Sequence, residues 1–330
     1  MTMSFLKKLI LGGVLLAAAG AGGFAYWAHQ PIITEAPAID FTVAPGSGAH
    51  AAGQQIAHAG VPVQPLLFNL LARATGKSSK LKAGAYELKP GTTPLRLIEQ
   101  LVRGEFAQES LTIIEGWTFH QMRQAMAAYQ NLRHDTAGLS DDAVIAKIAP
   151  EFKHPEGLFF PDTYLFAKNS SDWDILKQAH AAMMTRLGEA WDKRDPALPY
   201  KNPYEALTMA SIVEKETGQK SERGLIAGVF INRIKAGMLL QTDPTVIYGL
   251  GERYDGKIHK RDLEGDTPYN TYTRLGLPPT PIALPGMQSL AAALSPAKTA
   301  ALYFVSRGDG TSHFSDNLTD HNRAVNQYQR

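Results

Sequence analysis

Two glutamates, Glu214 and Glu216, stand one lysine apart in the stretch SIVEKETG, near the end of an apolar run. On a helix, residues two apart point to opposite sides. The sequence NPYEALTMASIVEKETG carries helix punctuation at both ends, with Asn202 as N-cap, Pro203 at the first helical position and Gly218 at the stop. With about 100° between successive residues, Ala206, Met209, Ile212 and Val213 gather on one side. Glu216 emerges from the middle of that side. A carboxyl on an apolar surface loses hydration of its charged form, so its pKa rises. That is the property a general acid needs near neutral pH. The plainer reading leaves Glu216 solvated just past the core edge, near Lys220. Glu214 points towards Ser211, Lys215 and Leu207, as part of a solvated face or as a partner that supports the acid.

The elements that must position these side chains read as α+β. A strand at Phe41–Val43, a Pro-Gly turn and a helix from about Ala49 are followed by a helix over Val63–Ala74, a strand at Gly84–Leu88 and a helix over Thr93–Val102, with Gly104 past its end. A strand opens at Ser110. Helices follow at Phe119–Tyr129, Asp141–Ile148 and Asp172–Asp192, separated by the aromatic, turn-broken PEGLFFPDTYLFAKN. After the glutamate helix comes one with Leu225, Ile226, Val229, Phe230 and Ile234 in its core, closed by Gly237. LLQTDPTVIYGLG reads as a strand, an Asp-Pro turn and a short helix. A loop-rich stretch from Arg253 to Gly286 precedes the helix in MQSLAAALSPAK, a buried strand in ALYFVSR, a hairpin arm turned by RGDGT, and a final helix.

The 330 residues suffice for one large domain or two smaller ones. A net charge of +2, with no basic stripe interleaved with aromatics, argues against nucleic acid as a partner. The absence of cysteine excludes disulfides, thiolate metal sites and a cysteine nucleophile. At the N-terminus, Lys7 and Lys8 precede an apolar run from Leu9 to Ala28, long enough to span a bilayer, with Tyr26 and Trp27 as interfacial anchors. A membrane anchor is expected, with the body exported; a cleaved signal peptide is the rival reading and exports the body too. The expected organisation is a cytoplasmic end at 1–8, an anchor at 9–28, a linker at 29–40, a small α+β unit at 41–105 and a larger mixed α+β domain at 106–330.

MASIVEKETG, SERGLIAGVFINRIKAGMLLQTDPTVIYGLG, YNTYTRLGLPPTPIALPG and LYFV, in this order, closely resemble the endolytic murein transglycosylase (YceG-like) family. EGWTFHQM and PEGLFFPDTY resemble its upstream blocks. The resemblance implies a single-pass inner-membrane protein with a LysM-like unit ahead of a catalytic domain in the periplasm. It implies cleavage within peptidoglycan glycan strands that leaves 1,6-anhydro-N-acetylmuramyl ends, and peptidoglycan synthases as possible neighbours. It puts the catalytic role on Glu216, with Thr217 beside it. The N-terminal unit departs from a clear LysM pattern, since alanine fills positions where bulk is expected.

Within this frame Gln241, Thr242, Asp243 and Tyr248 become candidates for sugar hydrogen bonding and for orienting Glu216, although Asp243 serves equally well as a helix cap at Pro244. Tyr269, Asn270 and Tyr272 offer amide and phenol groups to N-acetyl sugars, or else form a loop packed under the proline run. Glu156, Asp162 and Tyr164 are secondary candidates to line a cleft, while Phe159 and Phe160 read as core and Asp162 also as a turn residue. His313 and His321 have no partner at metal-ligand spacing and read as surface or structural. No metal and no cofactor is expected, and no G-x-S-x-G nucleophile is present. Two alternatives stay open: a glycan hydrolase in which Glu214 or Asp243 activates water, and a non-catalytic envelope scaffold.

Overall fold

The computed structural model describes residues 2–216 and 219–329, with side chains from residue 7 onwards. Gly218, the expected helix stop, and Thr217 lie outside the described residues. The chain divides into two compact units: residues 1–109 with 166–169, and residues 110–165 with 170–330.

In the first unit, α1 (Thr2–His29) is followed by β1 (Ile39–Val43), α2 (Ala49–His58), α3 (Pro65–Ala74), β2 (Gly84–Leu88) and α4 (Pro94–Arg103). The strands β1 and β2 pair antiparallel, Phe41 opposite Tyr86, and their rings stack at 5.6 Å. Thr93 caps α4 by accepting the Arg96 N–H, and Gly104 ends it at φ 72°. A side chain there would be strained in that left-handed conformation. The stretch Lys7–His29 of α1 is long and apolar enough to cross a membrane. Its last turn does something else: Phe24, Trp27 and Ala28 pack into the core of this unit. The segment read as a linker is pinned as well, because Ile32 is buried and its N–H donates to the Thr92 carbonyl at 2.9 Å.

Strands β3 (Gln108–Thr112) and β4 (Thr163–Ala167) pair with each other. Within the aromatic stretch taken as turn-broken, β4 is an addition to the expected elements. The second unit continues with α5 (Phe119–Ala127), α6 (Asp141–Ile148) and α7 (Asp172–Asp192), their N-termini capped by Thr118, Ser140 and Ser171. Helix α8 (Pro203–Glu216) starts where the Asn202 side chain accepts the Glu205 N–H at 3.0 Å. It packs against α7, α9 (Arg223–Lys235), α10 (Asp243–Leu250) and α12 (Met287–Leu294). The short α11 (Lys260–Glu264) lies in the loop-rich stretch.

Every residue of α8 from Ala206 to Val213 is buried, so the helix has no polar face. The side that Leu207 keeps from being cleanly polar is covered as well, which leaves no solvated face for Glu214. A helix apolar or small all round belongs in the middle of a core. Its hydroxyls are satisfied there: Thr208 donates to the Tyr204 carbonyl, and Ser211 donates to the Thr208 carbonyl while accepting the Ile282 N–H.

Two other expectations change. LLQT forms no strand, because the Arg233 guanidinium takes the carbonyls of Leu239 and Leu240 that a partner strand would need. ALYFVSR is not a buried strand. It forms β5 (Tyr303–Ser306), which pairs antiparallel with β6 (Ser312–Ser315) and buries only Val305 fully. This hairpin leans on α9, Phe304 meeting Phe230 edge-on at 5.9 Å, and carries α13 (Leu318–Tyr328) against its strands.

Candidate active site

Glu216, the last described residue of α8, opens onto a groove of about 650 Å³ in the second unit. One wall is the loop and start of α10, with Leu240, Gln241 and Asp243, together with Tyr272. The other is the C-terminal hairpin and α13, with Phe304, Thr311 and His321 among its residues. Arg233 of α9 completes the lining.

The Glu216 carboxylate accepts a 2.7 Å hydrogen bond from the Thr242 hydroxyl. Thr242 is fully buried, and its own N–H is held by the Thr271 hydroxyl at 3.1 Å. Thr271 in turn shares a 2.9 Å hydrogen bond with Thr245. A buried threonine relay therefore fixes one oxygen of the acid. Burial pushes the Glu216 carboxyl up to about 6, with the Thr242 bond opposing, the Asp243 charge adding to the rise and the Arg233 charge opposing it. This is the balance a carboxyl needs in order to hold a proton near neutrality and still release it.

Asp243 accepts a 2.5 Å hydrogen bond from the Tyr272 hydroxyl. The N-cap of α10 is Thr242, so the capping role foreseen for Asp243 is not the one it plays. Gln241 takes φ 50°, a left-handed conformation uncommon for a residue with a side chain. Such strain costs on the order of 1–3 kcal/mol and collects at functional sites. Here it turns the chain so that Gln241 faces the groove while its N–H reaches the Thr271 carbonyl at 3.1 Å.

Several other candidates are occupied elsewhere. Asn270 is buried, its amide bracing the loop by donating to the carbonyls of Asp262, Leu263 and Gly265, and it does not line the groove. Tyr269 bonds Thr280, and its ring meets Tyr248 at 4.9 Å. Tyr248 donates to Glu156 at 3.1 Å. Glu156 is buried and also accepts the Phe119 N–H, and burial pushes its carboxyl up to about 7. Neither Glu156 nor these two tyrosines lines the groove. Tyr164 is buried and donates to the Phe160 carbonyl, while Asp162 accepts the N–H of Thr163 as a turn residue does. Phe159 and Phe160 are core.

Glu214 is not solvated. Its side chain is 5% exposed and forms a 2.8 Å ion pair with Arg223, itself 7% exposed, and its second oxygen accepts the Gly286 N–H at 3.0 Å. The partner lies nine residues on, beyond the reach of helical spacing rules, which is why the pair was invisible in the α8 pattern. With both oxygens committed, Glu214 is a fastener between α8, α9 and the start of α12.

Sequence reasoning missed Arg233, His321 and the hairpin wall. Arg233 left one trace, a charge on the same helical face as Ile226 and Phe230.

Three comparisons bear on the chain. The model of the YceG-like family matches residues 41–327. A Bacillus subtilis protein named endolytic murein transglycosylase is 36% identical over 76% of this chain and 74% of its own length. A Streptococcus pneumoniae protein of the same name is 28% identical over 96% of this chain, which spans only 64% of that relative. Among solved structures, a YceG-like protein from Listeria monocytogenes matches with a TM-score of 0.55 at 32% identity, over 87% of this chain and 98% of that one.

Proposed function

The chain belongs to the YceG-like family, and from that premise we propose that it is a peptidoglycan lytic transglycosylase, cutting within glycan strands, with Glu216 as its single acid and base. The observation that carries the assignment is Glu216 itself: a carboxyl raised by burial, held by Thr242, at the edge of a groove of about 650 Å³.

The chemistry follows from one proton-holding group. Protonated Glu216 gives its proton to the glycosidic oxygen as the bond from that oxygen to the muramyl C1 breaks. The resulting carboxylate then takes the proton of the muramyl C6 hydroxyl, whose oxygen closes on C1. The product is a 1,6-anhydro ring, no water is added, and the acid is regenerated. Glycosidases generally require a second carboxylate as nucleophile or base; here the substrate supplies the nucleophile. Gln241, Asp243 and Tyr272 line the groove beside the acid, as residues that orient the sugar would. Thr242 acts through Glu216.

Anchoring through α1, with the body on the periplasmic side of an inner membrane, belongs to the same proposal. So does a LysM-like reading of the first unit, supported by its strand–helix–helix–strand order, and a working neighbourhood of peptidoglycan synthases. The boundaries at 40 and 105 belong to it as well.

Mass spectrometry of products from purified glycan strands in H₂¹⁸O tests the reaction. Anhydro ends without label are expected from the parent protein, and none from Glu216→Gln. Labelled reducing ends would instead establish hydrolysis, for which Asp243 is the second carboxylate in the groove. Cleavage by Glu216→Gln at the parent rate would end the assignment of the acid.

A further inference from the structure

Arg233 is a buried cation whose surroundings are unequal. Its Nε donates to the Leu302 carbonyl at 2.7 Å, and its Nη1 to the carbonyls of Leu240 at 2.8 Å and Leu239 at 3.2 Å, with the Gln241 amide oxygen at 3.5 Å. Its guanidinium lies over the Tyr303 ring, 5.1 Å from the centroid. These contacts lock the side chain in place. They leave Nη2, with two N–H groups, uncommitted among the described residues. No carboxylate makes an ion pair with Arg233 among the described residues either. A buried charge is ordinarily paired, and this one lines the groove.

A second group in the same groove is also unsatisfied. His321 stacks on Tyr303 at 5.1 Å, on the ring that carries the guanidinium, and its buried Nδ1 has no hydrogen-bond partner among the described residues. Burial first, then the charges of Arg233 and His313, keep its imidazole neutral more readily than an exposed one. The charge of Glu216 reaches Arg233 through space, but among the described residues neither nearby carboxylate comes within ion-pair distance of it. Asp243 is taken by Tyr272, and Glu216 by Thr242.

We infer that Arg233 and His321 form an anion subsite in the groove, which takes a carboxylate of the substrate. This rests on the proposed glycan substrate and sharpens it. A backbone of N-acetyl sugars is neutral. Its muramyl units bear a lactyl carboxyl, free in peptide-stripped strands and amide-linked in strands that carry peptides, where the peptide's own carboxylates are the anions. Either source presents a planar group with two oxygens, which the free Nη2 edge of a guanidinium suits.

The test measures binding rather than turnover, using full-length Glu216→Gln protein in detergent. Four ligands are titrated: peptide-bearing strands, peptide-stripped strands, and each of these with its carboxyls converted to methylamides. Neutralisation is expected to raise Kd roughly tenfold, the weight of one charge-assisted hydrogen bond. The pair of ligands in which the rise occurs names the source. In the further variant Arg233→Gln the rise should vanish, and in His321→Ala it should shrink. The Glu216→Gln parent decides the matter without them, should the loss of Arg233 unfold the hairpin. Equal Kd values for charged and neutralised strands of both kinds would overturn the subsite. Cleavage by Glu216→Gln would instead overturn the catalytic reading and leave the binding comparison standing.

Discussion

Glu216 and Glu156 are two carboxyls that burial raises in the same way, to about 6 and about 7. Each accepts one hydroxyl hydrogen bond, from Thr242 and from Tyr248. What separates them is access. Glu216 borders the groove, whereas Glu156 is sealed beneath Tyr248 and bonded to the backbone at the start of α5. A raised proton affinity therefore does not by itself mark a catalytic acid. In one region the displaced equilibrium opens onto a groove; in the other it is enclosed and counts only towards folding.

The first way to break this contrast is to make both carboxyls amides. Glu216→Gln should lower kcat roughly 10²- to 10⁴-fold, the weight of a general acid–base group, with thermal stability retained. Glu156→Gln should stay within a few-fold of the parent in the same anhydro-end assay. Equal losses would erase the distinction.

Glu214 extends the comparison along α8. Leaving Arg223 buried without its partner in Glu214→Gln should cost about 3–5 kcal/mol in urea unfolding, a penalty that Glu216→Gln should not share.

Next comes the pH dependence of stability. The folded state raises Glu156 from its ordinary value of 4.5 to about 7, so it binds more protons than the unfolded chain between those values. Stability contributed by this group is therefore present below about pH 4.5 and lost as pH rises through 7. The difference is about 3 kcal/mol. Glu156→Gln should flatten that part of a denaturation series taken from pH 4 to 8.

The finest test moves the acid itself. The alkaline limb of kcat/KM should lie near the raised Glu216 value of about 6. Thr242→Val removes a bond that favours the carboxylate and should shift the limb upward by about half a unit. Asp243→Asn removes a charge that favours the acid and should shift it downward. Movement of both in one direction would show that some other group sets the limb.

Local chemistry was the legible part of this fold. The stretches Gly84–Leu88, Asp141–Ile148 and Asp172–Asp192 run as expected because their signals are self-contained, and serines cap both helices. That Glu214 and Glu216 leave α8 on different sides was legible for a similar reason, since it follows from angle along one helix. Glu214 was not. Its environment is set by Arg223 and Gly286, which approach from other elements. Arg233 misled in the same way, because its hold on the Leu239 and Leu240 carbonyls replaces a strand that their side chains favour. The hairpin wall was read as an arm, yet nothing in its own pattern says that it faces Glu216. Residues that acquire a role from a partner distant in sequence carry no periodic signal.

The end of α1 has a mechanical meaning. Ala28 and Ile32 are core residues of the first unit, not links in a leash. With α1 seated in lipid, that unit would ride at a set height above the surface, like a lamp on a rigid stem. Proteolysis after Ala28 would pull a plug from its interior, and a flexible insertion there would have to unseat the same contacts before adding any reach.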